Sequence, residues 1–154
     1  MYGYRMKVVA IVGKKKSGKT TLIAQLIQYL KEYGNVGCIK HAHELDLDMP
    51  IARDTDRFVT AGAEVVIGAS EDRTMKLYGR KALTDLIVEM AESGVDFVLV
   101  EGFKSSNLPK IALNNFSADE VGNIITHVDS GGDAELQETR VNELVQLILA
   151  LDDY

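Results

Sequence analysis

The chain has 154 residues, 46% of them hydrophobic and 26% charged, with a formal net charge of −6. That length suits a single domain around one core, and the acidic balance excludes a nucleic-acid binder that works by general phosphate attraction, so any anion site has to be local. The lone cysteine, Cys38, excludes an internal disulfide or a multi-cysteine metal site, and no apolar run suits a signal peptide or approaches the roughly 18 residues of a membrane span; a soluble, cytoplasmic protein is expected.

Along the chain, Lys7 to Val12 is a β-branched run that flows into a Gly/Lys loop. Beyond Lys19, the apolar residues Leu22, Ile23, Leu26, Ile27 and Leu30 recur at helical spacing, with Gly34 expected at the C′ position. Val36 to Ile39 reads as a second strand. The acidic stretch from His41 to Thr55 is too irregular for an element and suits a functional loop. A short helix around Arg57 to Ala61, a third strand at Val65 to Ala69 and an edge strand at Thr74 to Tyr78 are expected next. Leu83, Leu86, Ile87, Met90 and Ala91 mark a helix closed by Gly94, and Phe97 to Val100 is a continuous apolar strand ending at Glu101-Gly102. Short strands at Lys110 to Leu113 and Asn123 to Ile125 precede an amphipathic helix carrying Val141, Leu144, Val145, Ile148 and Leu149. This alternation predicts an α/β, three-layer fold, a mostly parallel sheet flanked by helices, as one domain over residues 1–154, and the Gly/Lys loop between its first strand and first helix makes a P-loop fold the expectation.

Gly13, Gly18, Lys19 and Thr20 fit G-x-x-x-x-G-K-[ST] between a strand and a helix, the context that phosphate binding requires. Glycines let backbone N–H groups approach phosphate oxygens, the helix N-terminus faces the anion, and Lys19 serves the β- and γ-phosphates. The nucleotide-binding segment is therefore Gly13, Lys14, Lys15, Lys16, Ser17, Gly18, Lys19, Thr20 and Thr21. Three lysines inside one loop repel each other unless an anion neutralises them. Lys14 also stands where dimeric P-loop proteins of the deviant Walker A group carry a lysine that reaches the partner subunit's nucleotide, although that pattern has glycines where this chain has Lys15 and Lys16.

Mg²⁺ is expected on the Thr20 hydroxyl, with Glu101 as the carboxylate at the end of a neighbouring buried strand. The usual residue there is Asp. The longer Glu101 leaves open whether it orders metal-bound water, orients the attacking water or only caps a turn. Lys19 and Glu101 are the expected catalytic residues. His41-Ala-His43 with Asp46 and Asp48 offers four metal ligands in eight residues; zinc is the less favoured use, and a nucleotide-side role in which Asp46 and Asp48 approach Mg²⁺ is preferred because the segment follows the C-terminal end of a strand. Thr126-His-Val-Asp129 resembles the [NT]-K-x-D element that reads guanine in many GTP-binding proteins. There the carboxylate accepts from guanine N1–H and the 2-amino group; His127 replaces the usual lysine, which tips the balance slightly toward an ordinary strand-to-loop turn.

Gly13 to Thr21, Ile39-Lys-His-Ala-His43, Asp46-Leu-Asp48, Pro50, Asp54-Thr55, Ala61-Gly-Ala63, Leu99-Val-Glu-Gly-Phe-Lys104 and Pro109-Lys-Ile111 together resemble the molybdopterin-guanine dinucleotide biosynthesis protein B family, over about Lys7 to Leu113. The resemblance implies a dimeric, weakly active GTPase that uses GTP and Mg²⁺ to assist attachment of a guanine nucleotide to molybdopterin, beside a molybdenum-cofactor nucleotidyltransferase. Two departures stand out: Ala52-Arg-Asp-Thr55 replaces the family's usual Gly-Lys-Asp-Ser, and lysines fill a loop where relatives often carry small residues. Arg57, Lys104 and Lys110, expected as surface cations, are candidates for the molybdopterin phosphate or the triphosphate, with ordinary solvated side chains as the equal alternative. Two rivals remain: a small-molecule kinase, whose lid arginine would be Arg73 or Arg80, and a nucleotide-gated adaptor without significant turnover.

Overall fold

The computed structural model describes residues 3–42, 50–114, 116, 121–129 and 135–154, with side chains from residue 54 onward in the first helix after residue 49. The elements are β1 (Lys7–Val12), α1 (Lys19–Leu30), β2 (Val36–Lys40), α2 (Pro50–Thr60), β3 (Val65–Ala69), β4 (Thr74–Tyr78), α3 (Leu83–Glu92), β5 (Phe97–Glu101), β6 (Lys110–Leu113), β7 (Ile124–Val128) and α4 (Glu138–Leu149). They group into two compact units, Met1–His41 with Leu83–Tyr154, and Ala42–Ala82.

In the first unit five strands form one sheet in the order β2-β5-β1-β6-β7. Every neighbouring pair is parallel. The central strands are buried on both faces, which is why they read as continuous β-branched runs without alternation. Along β1, Val9 and Ile11 face one core with Leu22, Leu26 and Leu30 of α1 and Val141, Leu144, Val145 and Ile148 of α4. Val8 and Ala10 face the other with Ile87 of α3 and Val98 and Val100 of β5. The three layers are thus two helices, a sheet and one helix. All strands present their C-terminal ends at one edge, and there the chain leaves β1 for α1, the place where open α/β sheets hold ligands.

Several expectations are corrected. Helix α2 begins at Pro50, so the irregular stretch is shorter than expected and the Arg57 to Ala61 helix is only its last part. Proline suits a first helical turn because its φ is preset and its N–H is not missed there. The apolar pattern that would announce this helix is weak because, from Asp54 on, only Thr55 is buried. Strands β3 and β4 do not join the main sheet; they pair antiparallel with each other, closed by a turn in which the Ser70 N–H donates to the Arg73 carbonyl at 2.8 Å. Strand β7 runs to Val128, placing Thr126 and His127 inside the strand, with Asp129 the first residue beyond. Gly34 is not the left-handed cap of α1, whose C-cap is Lys31 at φ −59°. Its need is space, since a Cβ there would lie 2.5 Å from Asp96 Oδ2. Gly94, at φ +75°, does close α3. No described helix is long and apolar enough to cross a membrane.

Candidate functional site

The loop between β1 and α1 is built by close approach. A Cβ on Gly13 would stand 2.6 Å from Ser17 Oγ and 3.2 Å from Leu113 Cβ, so only glycine lets the chain fold back over the sheet edge. Lys16 adopts φ +59° and Gly18 φ +90°. The first of these costs an L-residue with a side chain about 1 kcal/mol or more. Gly18 is the N-cap of α1, makes no side-chain cap, and is followed by no acidic residue in the first turn. The N-terminus of α1 is therefore capped by no side chain of Gly18 and by no acidic residue of its own first turn, which leaves its partial positive charge for an anion.

Lys19 draws the two sides of the loop together: its ammonium donates to the Gly13 carbonyl at 3.1 Å and the Lys14 carbonyl at 2.6 Å. Burial lowers its pKa below that of an ordinary lysine, with Glu101 opposing and Lys40 adding to the shift. The Thr20 hydroxyl lies 3.4 Å from each Glu101 carboxylate oxygen. Parallel pairing of β5 with β1 puts Glu101 opposite Ile11, and pairing with β2 puts it opposite Lys40. There Lys40 Nζ lies 3.5 Å from Glu101 Oε2; the carboxylate side chain is 15% exposed and the lysine 59%. Exposed as it is, this ion pair adds little stability, but it orients the carboxylate. Two oxygens bound side by side on octahedral Mg²⁺ stand about 3 Å apart, so Thr20 and Glu101 fit that ion with a small adjustment.

The end of β2 adds two features that sequence reasoning did not assign. The His41 ring stacks on Phe103 with centroids 4.4 Å apart, and the His41 N–H donates to the Glu101 carbonyl at 2.9 Å. Gly102 and Phe103 both have positive φ, a sharp exit from β5 directly after the carboxylate. Lys40 was present in the resemblance motif, yet its pairing with Glu101 is set by strand order and carries no local signal.

Lys14 lines a cavity of about 220 Å³ with Ser17, Leu113, Asn114 and Phe116. Asp129 lines another, about 320 Å³, with Asn114, His127 and Val128. Lys15 and Lys16 are exposed, and Thr21 is half-buried in the first turn of α1. His43, Asp46 and Asp48 lie outside the described residues. Among the described residues no three His, Cys, Asp or Glu side chains form a metal-binding group.

Lys110 is not a surface cation. It is 0% exposed, and its ammonium donates to the carbonyls of Ser106, Leu108 and Gly122. It ties the chain after β5 to the start of β7, and burial lowers its pKa. Lys104 is exposed, as is Arg57 on α2. Arg73 lies 3.5 Å from Asp72 in an exposed pair.

The family described as molybdopterin guanine dinucleotide synthesis protein B matches residues 8–128. A Methanocaldococcus jannaschii relative is 33% identical over 113 residues, 70% of this chain and 47% of that protein. The molybdopterin-guanine dinucleotide biosynthesis adapter protein of Escherichia coli is 34% identical over 113 residues, 69% of this chain and 64% of its own length. The chain thus spans about half to two thirds of the curated relatives it matches. Among solved structures, Bacillus subtilis MobB superposes with a TM-score of 0.68 at 24% identity, covering 95% of this chain and 100% of that one, which shows a shared fold. With that match over residues 8–128, this chain belongs to the molybdopterin guanine dinucleotide synthesis protein B family.

Proposed function

We propose that this protein is a GTP-binding accessory protein with weak GTPase activity that assists attachment of a guanine nucleotide to molybdopterin. The observation that carries the reading is the convergence of Thr20 and Glu101 at 3.4 Å beside the Lys19 clamp. Backbone amides from Gly13 to Thr21 and the Lys19 ammonium bind the phosphates, which replace the Gly13 and Lys14 carbonyls as the lysine's partners. Thr20 and Glu101 would hold Mg²⁺ directly or through its water shell, with Asp46 and Asp48 as further carboxylates for that shell, and the ion would supply positive charge against that of the phosphates. Lys40 keeps the Glu101 carboxylate turned toward Thr20. Asp129 accepts from guanine N1–H and the 2-amino group.

The adapter names carried by relatives support a partner in the same biosynthesis, read here as a molybdenum-cofactor nucleotidyltransferase. A homodimer is part of the reading, and Phe58, Val65 and Ile67, which are 57%, 53% and 63% exposed, are apolar side chains available to a second copy. A cytoplasmic location and one nucleotide-binding domain over residues 1–154 complete the reading.

Titration with a fluorescent GTP analogue tests it. Lys19→Ala abolishes binding while the circular dichroism spectrum is kept; undiminished affinity removes the P-loop from the function. Glu101→Gln lowers turnover at saturating GTP and Mg²⁺ with a modest change in binding, and equal turnover would leave a nucleotide-binding adaptor without catalysis.

A further inference from the structure

The two cavities at the nucleotide edge share one residue. Asn114 borders both the space beside Lys14 and Ser17 and the space that ends at Asp129. Its backbone is fixed on both sides: its N–H donates to the Val128 carbonyl at 2.7 Å, and its carbonyl accepts from the Phe116 N–H at 2.6 Å. Its φ is +53°, a conformation that glycine adopts without strain and that asparagine tolerates better than most residues. Asparagine brings a side-chain amide to a residue that lines a cavity of about 320 Å³, at the lower end of the usual range for small-ligand sites.

The hydrogen-bonding groups around that cavity have a definite sense. An ionised Asp129 only accepts, whereas the Asn114 amide offers two N–H donors as well as an acceptor oxygen. Guanine presents donors at N1–H and the 2-amino group, and acceptors at O6 and N7 along the adjoining edge. A site for it needs an acceptor facing the first edge and a donor facing the second. Adenine carries an amino group where guanine has O6, and at N1 an acceptor that faces the carboxylate.

We infer that Asn114 is a second specificity-determining residue, donating from its amide to the O6/N7 edge of the guanine whose N1–H and 2-amino group are taken by Asp129. The inference rests on the guanine reading above and extends it from one contact to two. Asn114 stands where strand β6 ends, between the phosphate loop and the base cavity, so the same rigid turn sets the distance between base and phosphates.

The experiment is calorimetric titration of the full-length chain with GTP, ATP and inorganic tripolyphosphate, for the parent, Asn114→Gly, Asn114→Asp and Asp129→Ala. Glycine keeps the backbone conformation and removes only the amide. The expected result is that Asn114→Gly lowers the ratio of GTP to tripolyphosphate affinity about tenfold, with unchanged tripolyphosphate affinity. Asn114→Asp, which sets an acceptor against O6, lowers the ratio further. A ratio in Asn114→Gly equal to the parent's overturns the inference, as does a parallel loss of GTP and tripolyphosphate binding, which would mark a structural role. If Asp129→Ala abolishes the preference for GTP over ATP while Asn114→Gly changes nothing, only the Asn114 contact fails. If Asp129→Ala leaves the preference intact, the guanine reading fails and this inference with it.

Discussion

Replacing Gly13 by alanine isolates the steric logic of the phosphate loop. The added methyl would sit 2.6 Å from Ser17 Oγ, 3.2 Å from Leu113 Cβ and 3.5 Å from Ser17 Cβ. The first distance is closer than real Cβ contacts come. Relief requires either the loop or the end of β6 to move, and overpacking of this kind costs about 1–3 kcal/mol. Ser17 is 7% exposed, so its hydroxyl has little room to swing away. Removing that hydroxyl by Ser17→Ala takes away the worst contact and leaves the 3.2 Å and 3.5 Å approaches, which small shifts absorb. In urea denaturation, Gly13→Ala is therefore expected to be destabilised by about 1–3 kcal/mol with an unchanged m-value. The pair is expected to be less destabilised than the sum of the two single variants, by about 1 kcal/mol. Nucleotide affinity falls in Gly13→Ala and is partly restored in the double variant, because the same displacement moves the amides that face phosphate. Strict additivity of the two substitutions, or a Gly13→Ala variant as stable as the parent, would refute the reasoning.

Two further outcomes follow from the buried ammonium groups. Lys110→Met keeps the volume but withdraws the donor from three carbonyls at about 1–3 kcal/mol each, partly offset by the recovered desolvation of the charge; a net loss of about 2–4 kcal/mol is expected in urea midpoints, and a change under 0.5 kcal/mol would contradict the clamp. Burial lowers the pKa of Lys19 from 10.5, so between the folded value and 10.5 the unfolded chain binds more protons and this group's contribution to stability rises with pH. A phosphate beside Lys19 restores the ammonium, so GTP affinity is expected to fall with rising pH before an ordinary lysine titrates, and more steeply than in Lys19→Arg; parallel pH profiles for the two proteins would exclude Lys19 as the titrating group.

The residues from Lys7 to Leu30 announced themselves. A β-branched run, a glycine-lysine loop and an apolar helical period are local features, each written within a few turns of chain, so strand, loop and helix were legible without a fold. The same holds for Phe97 to Glu101, a buried apolar run with a carboxylate at its end, which the structure sets beside Thr20. The helix from Pro50 was legible only in part, because few of its described side chains are buried and burial is what impresses a period on a sequence. Strands β3 and β4 read correctly as strands, but nothing local says whether a strand joins its predecessors or pairs with its neighbour alone. Lys110 illustrates the strongest form of this limit. Its charge suggested a surface phosphate ligand, and only the return of the chain over Ser106, Leu108 and Gly122 shows three carbonyls converging on the ammonium. The meeting of Thr20, Lys40 and Glu101, and of Asn114 with Asp129, depends on which strands lie side by side. Strand order is settled by the packing of both sheet faces at once, a property of the whole core that no short segment carries.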